Sequence, residues 1–275
     1  PPLSPHPAPP EIYTGTTSSA ASDVYKRQGS SPALHGNRIL VQWDQEGPSF
    51  LVALDKSTGE EVWKMDRDEP SSWSTPRVVE HDGVEQVLTA ASNRVRSYDL
   101  KDGSLIWECE GLGANVIPAP VVVDNTAIMM SGHRQPAALA IRLDGATGNI
   151  TGSKAIAWSQ TRDTPYTPSP LLYGETLYFL KRNSGVLSTL NAKTGVALYG
   201  TQRLEGVGDV YSSPVGANGR VYITDRDGNT LVIRHGSEFE ILASNSLDDG
   251  FDASAAIVDD EIFLRGKKHL YCISE

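Results

Sequence analysis

Four segments of the chain bring carboxylates, a guanidinium or backbone-exposing glycines, and one aromatic ring together within a few residues. They read Asp66-Arg67-Asp68-Glu69-Pro70-Ser71-Ser72-Trp73, Thr161-Arg162-Asp163-Thr164-Pro165-Tyr166, Glu205-Gly206-Val207-Gly208-Asp209-Val210-Tyr211 and Leu247-Asp248-Asp249-Gly250-Phe251-Asp252. Side chains of these types bind rather than react. Charges orient a polar partner, and aromatic and arginine side chains supply most of the energy at an interface. Polar turns elsewhere add Asn93-Arg94, His133-Arg134, Lys181-Arg182-Asn183, Asp225-Arg226-Asp227 and Arg265-Gly266-Lys267-Lys268. The candidate binding residues are therefore Asp68, Trp73, Arg94, Arg134, Arg162, Asp163, Tyr166, Arg182, Asp209, Tyr211, Arg226, Asp249, Phe251 and Arg265.

Signatures of catalysis are absent. There is no GxSxG nucleophile elbow and no Walker A loop. Gly111-Leu112-Gly113 and Gly206-Val207-Gly208 begin like a dinucleotide fingerprint but lack its last glycine, so they read as loop glycines. The six histidines lie at least 29 positions apart, which excludes an HExxH-type metal pair. Asp225-Arg226-Asp227-Gly228-Asn229 resembles a calcium loop only in part, with its glycine at the fourth position instead of the sixth. It reads better as an Asp-Gly hairpin. No catalytic residue and no metal centre are expected. Cys109 and Cys272 are too far apart in sequence to suggest a zinc knuckle or a disulfide framework.

The bulk composition narrows the partner class. At 275 residues and 39% hydrophobic content the chain is globular and can bury a large core. A net charge of −10 repels phosphate backbones and argues against a nucleic-acid partner. No apolar run approaches the length of a membrane-spanning helix.

The elements that must position these side chains follow from an internal repeat. A small residue followed by proline recurs at Ser31-Pro32, Thr75-Pro76, Ala119-Pro120, Ser169-Pro170 and Ser213-Pro214, with prolines 44, 44, 50 and 44 residues apart. A sixth copy, Ser254-Ala255, follows after 41. Each start leads into a short apolar run, a turn such as His81-Asp82-Gly83 or Ala217-Asn218-Gly219, and a β-branched or aromatic strand such as Leu177-Tyr178-Phe179-Leu180. Helical periodicity is absent. A period in the forties is one four-stranded propeller blade. The expected fold is an all-β propeller of antiparallel blades, five full and most of a sixth, over residues 29–275, with starts near 31, 75, 119, 169, 213 and 254.

The third-to-fourth-strand segment carries a resemblance. Ala53-Leu54-Asp55-Lys56-Ser57-Thr58-Gly59-Glu60-Glu61-Val62-Trp63 resembles the tryptophan-docking motif of PQQ-like propellers. The second copy has Asp99, Gly103 and Trp107. The third has Asp144, Thr147 and Gly148, then an insertion before Trp158. The fourth retains Thr194-Gly195, with Asn191 for Asp and Tyr199 for Trp. The chain is similar in repeat type to the BamB-like outer-membrane-assembly propellers. That resemblance implies a non-catalytic scaffold of the bacterial cell envelope, periplasmic or otherwise extracytoplasmic, whose partner is a protein, a peptide or a polysaccharide. It implies that Asp55, Thr58, Gly59, Trp63, Asp99, Gly103, Trp107, Asp144, Thr147, Gly148 and Trp158 dock blade on blade. The alternatives are a PQQ- and calcium-dependent dehydrogenase, or another ligand-binding or hydrolytic propeller. No cofactor is expected, because the adjacent-cysteine disulfide with which such dehydrogenases hold PQQ has no counterpart here.

Residues 1–28 stand outside the repeat. They open with six prolines in ten residues, and Ser18 to Gln28 resembles a translated sequencing linker, so this segment reads as disordered or foreign. A truncated parent of seven or eight blades, or a smaller ring of six, both fit. In either ring, inter-blade loops and second-to-third-strand hairpins emerge at one end, so the candidate binding residues should surround the mouth of the channel. Two readings of that face stand. Its aromatics pack over the first strands of a solvated loop ring, or they bind.

Overall fold

The computed structural model describes residues 30–274, so the proposed foreign segment lies outside the described residues. Blade one contains Ala33–His35, Arg38–Trp43, Ser49–Asp55 and Glu61–Arg67. Blade two contains Arg77–His81, Val84–Thr89, Val95–Asp99 and Leu105–Cys109. Blade three is built from Val121–Val123, Thr126–Ser131, Ala137–Arg142 and Ile156–Gln160, and blade four from Leu171–Tyr173, Thr176–Leu180, Val186–Asn191 and Gln202–Arg203. Blade five has Val215–Ala217, Arg220–Thr224, Asn229–Arg234 and Ile241–Ser246. Blade six has, among the described residues, the three strands Ala256–Val258, Glu261–Arg265 and Leu270–Ile273. Within each blade every strand pairs antiparallel with the next, as in Leu177↔Leu190 and Phe179↔Ser188. The fold is an all-β propeller, and no helix among the described residues is long and apolar enough to cross a membrane.

The cores lie between blades. Alternate residues of one strand face opposite neighbours because the side-chain period of a strand is two. Ala127 and Met129 join Leu88 and Trp107 of blade two, whereas Ile128 and Met130 join Leu177 and Phe179 of blade four. Tyr178 and Leu180 turn the other way, onto Ile223 and Ile233 of blade five. This is why the middle strands read as near-continuous apolar runs: both of their faces are covered. Each such Leu, Ile or Phe contributes about 1.5–3 kcal/mol by burial. Blade six buries less, and Val258, Leu270 and Ile273 are exposed.

The small-residue positions form a chain of hydrogen bonds beside the first strands. Ser31 N donates to Thr75 Oγ1 at 3.2 Å, Ala119 N to Ser169 Oγ at 3.0 Å, Ser169 N to Ser213 Oγ at 2.9 Å and Ser213 N to Ser254 Oγ at 2.9 Å. Where Ala119 supplies no hydroxyl, the link between blades two and three is Ser74 Oγ donating to Pro118 O at 3.0 Å.

The third repeat departs from the expected alignment. Asp55 N donates to Glu60 O and Lys56 N to Asn37 O; Asp99 and Leu100 repeat this with Ser104 O and Glu85 O. In blade three the same two bonds are made by Arg142, to Ala155 O, and Leu143, to Asn125 O. Arg142 therefore occupies the Asp55 position, and Asp144, Thr147 and Gly148 belong to the insertion that follows it. The cause is the length of that insertion, which replaces the tight turn. Its Gly148-Asn149 runs parallel to Trp107-Glu108 and adds a fifth strand to the sheet of blade two.

Candidate functional site

The motif turn is built around a carboxylate. Asp55 Oδ1 accepts from Ser57 N at 2.8 Å and Thr58 N at 3.1 Å, and Thr58 Oγ1 accepts from Glu60 N at 3.2 Å. These amide bonds hold the Asp55 carboxyl below its ordinary value. Asp99 repeats the cap with Lys101 N at 2.7 Å, and Asn191 does so through Lys193 N at 3.1 Å. The tryptophan at the end of the motif reaches the next blade. Trp63 Nε1 donates to Leu100 O at 2.9 Å, and Trp158 Nε1 donates to Ala192 O at 2.9 Å. A Cβ on Gly103 would lie 2.7 Å from the Trp63 ring, so the indole sits directly on that turn. Trp107 is fully buried, but its Nε1 has no acceptor among the described residues, where blade three replaces the tight turn with its insertion.

At the opposite end, the loops are latched to the hairpins. Glu69 has a fully buried side chain and accepts from Asn93 N at 2.7 Å and Arg94 N at 3.1 Å. Asp249 occupies the same place in blade six, accepting from Lys268 N at 3.1 Å, His269 N at 3.0 Å and Tyr271 Oη at 3.2 Å. Burial pushes the Asp249 carboxyl up, but these donors, with Gly250 N, outweigh it and hold it down to about 2. In blades four and five backbone bonds do the same work: Arg182 N donates to Thr164 O and Arg226 N to Asp209 O.

The densest cluster of charge joins blades one and two. Arg67 Nε donates to Asp44 Oδ1 at 2.8 Å with both side chains fully buried, and Arg67 Nη1 donates to Thr89 Oγ1 and Tyr98 Oη at 3.0 and 2.7 Å. Arg96 pairs with Glu69 at 2.6 Å, with Glu108 at 3.1 Å and with Asp68. Burial raises the Glu69 carboxyl above its ordinary value. In Asp68 the burial effect is overcome by the Arg96 guanidinium, and the carboxyl is lowered. The residues Asp44, Arg67, Glu69, Tyr98 and Arg96 were not expected from the sequence. The packing of blade one on blade two, with the inter-blade loop that carries Glu69, brings them together.

The structure sorts the candidate binding residues. Asp68 and Arg94 are tied to each other at 3.5 Å, and Arg94 also lies 3.5 Å from Glu108 and 3.4 Å from Glu110. Asp163 pairs with Lys181 at 2.9 Å and Arg226 with Asp252 at 2.6 Å, while Arg226 also lies over the exposed Tyr211 ring at 4.2 Å. Trp73 is half-buried and lines a cavity of about 200 Å³ with Trp43, Gln42 and Asp44. The half-buried Tyr166 packs on His133 at 4.9 Å, and Asp209 is exposed. Phe251 is a correction. It is fully buried against Tyr271, because the Asp249 latch draws its loop inward, and it does not face the mouth. Asp249 is likewise buried. Arg134, Arg162, Arg182 and Arg265 are exposed and form no side-chain ion pair among the described residues.

Comparison with known proteins places this geometry in a group. The sequence profile of a family described as outer membrane protein assembly factor BamB matches residues 13–151 and 49–275. No curated protein matches the chain by sequence. Among solved structures, BamB from Moraxella catarrhalis is 14% identical, with a TM-score of 0.50, over 89% of this chain and 84% of that one. The computationally designed Ika8 protein is 13% identical, TM-score 0.63, over 90% and 70%. A europium-containing methanol dehydrogenase is 11% identical, TM-score 0.57, over 80% of this chain and 51% of its own. At these identities the likeness concerns the fold.

Proposed function

The chain belongs to the family of the outer membrane protein assembly factor BamB, and from that premise we propose that it is a non-catalytic cell-envelope scaffold that binds a protein or peptide on its loop face. The observation that carries this reading is the contrast between neutralised and free charge on that face. Glu69 and Asp249 fix the loops, and Asp68, Arg94 and Arg226 are consumed in ion pairs. Arg134, Arg162 and Arg182 stay exposed on blades three and four, in a chain whose net charge is −10. Arginines presented by rigid loops favour carboxylates on a partner, through paired N–H donors. The motif tryptophans Trp63 and Trp158 serve this function indirectly, by docking blade on blade and keeping the face rigid.

The test is a photo-crosslinking residue introduced at Arg162 or Arg182 and, as a control, at Lys56 at the opposite end of the blades. A discrete protein adduct is expected from the first two positions only, and the adduct formed from position 162 should weaken when Arg134 and Arg182 are changed to Glu. Equal crosslinking from Lys56 would remove the reading.

The dehydrogenase alternative finds less support in the residues present. Cys109 is a free, buried thiol of blade two and Cys272 a free, exposed thiol of blade six, so the pair does not supply the adjacent disulfide that quinone binding would call for. Dye-linked alcohol oxidation after reconstitution with PQQ and calcium would reinstate that alternative.

A further inference from the structure

The face opposite the loops carries a cluster that the scaffold reading does not use. His81 ends the first strand of blade two. Its residue is 7% exposed, and its Nε2 is buried with no hydrogen-bond partner among the described residues. That nitrogen lies 3.4 Å from Asp82 Oδ2 and 3.4 Å from Asp144 Oδ1. Both carboxylates are open to solvent, at 84% and 61% side-chain exposure. The three ligand atoms all lie within 4.8 Å of one another.

The spacing is informative. Bonds of the length zinc makes to nitrogen and oxygen put neighbouring corners of a tetrahedron about 3.4 Å apart. The geometry therefore points to a site for a zinc-type divalent cation held by His81 Nε2, Asp82 Oδ2 and Asp144 Oδ1, with the remaining position open to water. We propose this as a metal site of the protein, separate from the loop face. A neutral imidazole with two carboxylates is a donor set that suits zinc and its first-row neighbours, whereas calcium takes six to eight oxygens.

The fold accounts for the arrangement. Asp82 and Gly83, with φ of 50° and 76°, form a two-residue turn with both central residues in the left-handed region, which turns Asp82 back beside His81. Asp144 comes from the blade-three insertion, and the Asn125 side-chain amide donates to its Oδ1 at 3.5 Å. The cation would thus fasten the insertion to blade two, the same pair of elements that Gly148-Asn149 joins by pairing with Trp107-Glu108.

Isothermal titration of the full chain with zinc chloride tests this. One saturable equivalent is expected, with a rise in Tm. Asp144→Asn and Asp82→Asn, at exposed positions that leave the fold intact, should each weaken binding about tenfold or more, since even outer partners of a metal ligand matter on that scale. His81→Gln should abolish the rise in Tm, and Cys272→Ser should leave titration and Tm unchanged. No saturable zinc, the same affinity in Asp144→Asn as in the parent, or calcium binding as tightly as zinc would each overturn the assignment.

Discussion

Ser213 N donates to Ser254 Oγ at 2.9 Å, across a separation of one repeat. The same bond links Ser169 to Ser213, Ala119 to Ser169 and Ser31 to Thr75, so the hydroxyl at the start of blades two, four, five and six receives an amide from the blade before it, and blade three, which starts with Ala119, does not. The recurrence of Ser, Thr or a similarly small residue at this position is thereby explained. A bulky side chain would separate the blades, and a hydroxyl supplies an acceptor that alanine cannot. Removing the hydroxyl should weaken the protein according to burial. Ser169→Ala, at a half-buried link, should cost about 1 kcal/mol, and Ser254→Ala, at an exposed one, should cost less. Urea unfolding midpoints check both, and equal midpoints for the two variants and the parent would count against the link.

Contact between Trp63 and Gly103 gives a sharper contrast. Gly59 and Gly103 both sit in motif turns with φ near +76°, at 75° and 77°. A Cβ on Gly59 meets nothing within 4 Å, but on Gly103 it meets the Trp63 ring at 2.7 Å and Met65 at 2.8 Å. Gly59→Ala therefore incurs only backbone strain, about 1 kcal/mol. Gly103→Ala adds an overpacking cost of about 1–3 kcal/mol by driving blade two away from blade one. Thermal denaturation of the two variants should separate them, and Trp fluorescence should red-shift in Gly103→Ala alone.

Much of this architecture is legible in the sequence because it is periodic. The blade starts and the Asp55 and Asp99 turns follow from spacing within one repeat, whereas the inter-blade role expected of Trp63 comes from the resemblance its motif carries. What is not legible depends on pairing between repeats. Asp144-Gly145-Ala146-Thr147-Gly148 has the letters of the motif, yet the strand register gives its place to Arg142, and only the hydrogen bonds of Arg142 and Leu143 reveal the shift. Phe251 follows the same rule: its loop resembles the others, but Asp249 pulls it under the hairpin. The pairing of Arg67 with Asp44 joins residues 23 apart through strand geometry that no local pattern encodes.

That buried pair should be costly to break. Arg67 contacts Asp44 through two nitrogens, at 2.8 and 3.2 Å, and neither side chain reaches solvent. Asp44→Ala would leave a guanidinium in the protein interior without its carboxylate, at a cost of about 3–5 kcal/mol. Replacing both partners, as in Asp44→Leu with Arg67→Met, should recover much of the loss, because two charges no longer need to be desolvated. Chemical denaturation of the single and double variants measures the difference. Glu240→Ala, which breaks the exposed pair with Arg234, should leave the midpoint unmoved.

The Asp249 latch makes stability depend on acid pH in a defined window. Its carboxyl is lowered from an ordinary value of 3.8 to about 2, because burial is outweighed by donors from Gly250, Lys268, His269 and Tyr271. A carboxylate whose folded value is depressed stabilises the native state fully above its unfolded value and loses that contribution as pH falls through the folded one. The contribution from Asp249 is therefore complete above about pH 4 and lost progressively as pH falls through about 2. The loss should be felt first where the latch acts, at the hairpin of Glu261–Arg265 and Leu270–Ile273, whose exposed Leu270 and Ile273 add little burial of their own. Hydrogen exchange followed by mass spectrometry should show blade six opening across this window while blade three, with Ala137 to Ile141 buried, stays protected. In Asp249→Asn the neutral amide can still accept hydrogen bonds but no longer titrates, so blade six should exchange faster at pH 7 and lose its dependence on pH between 4 and 2. If the variant keeps the parent's pH profile, the protecting charge belongs to another residue.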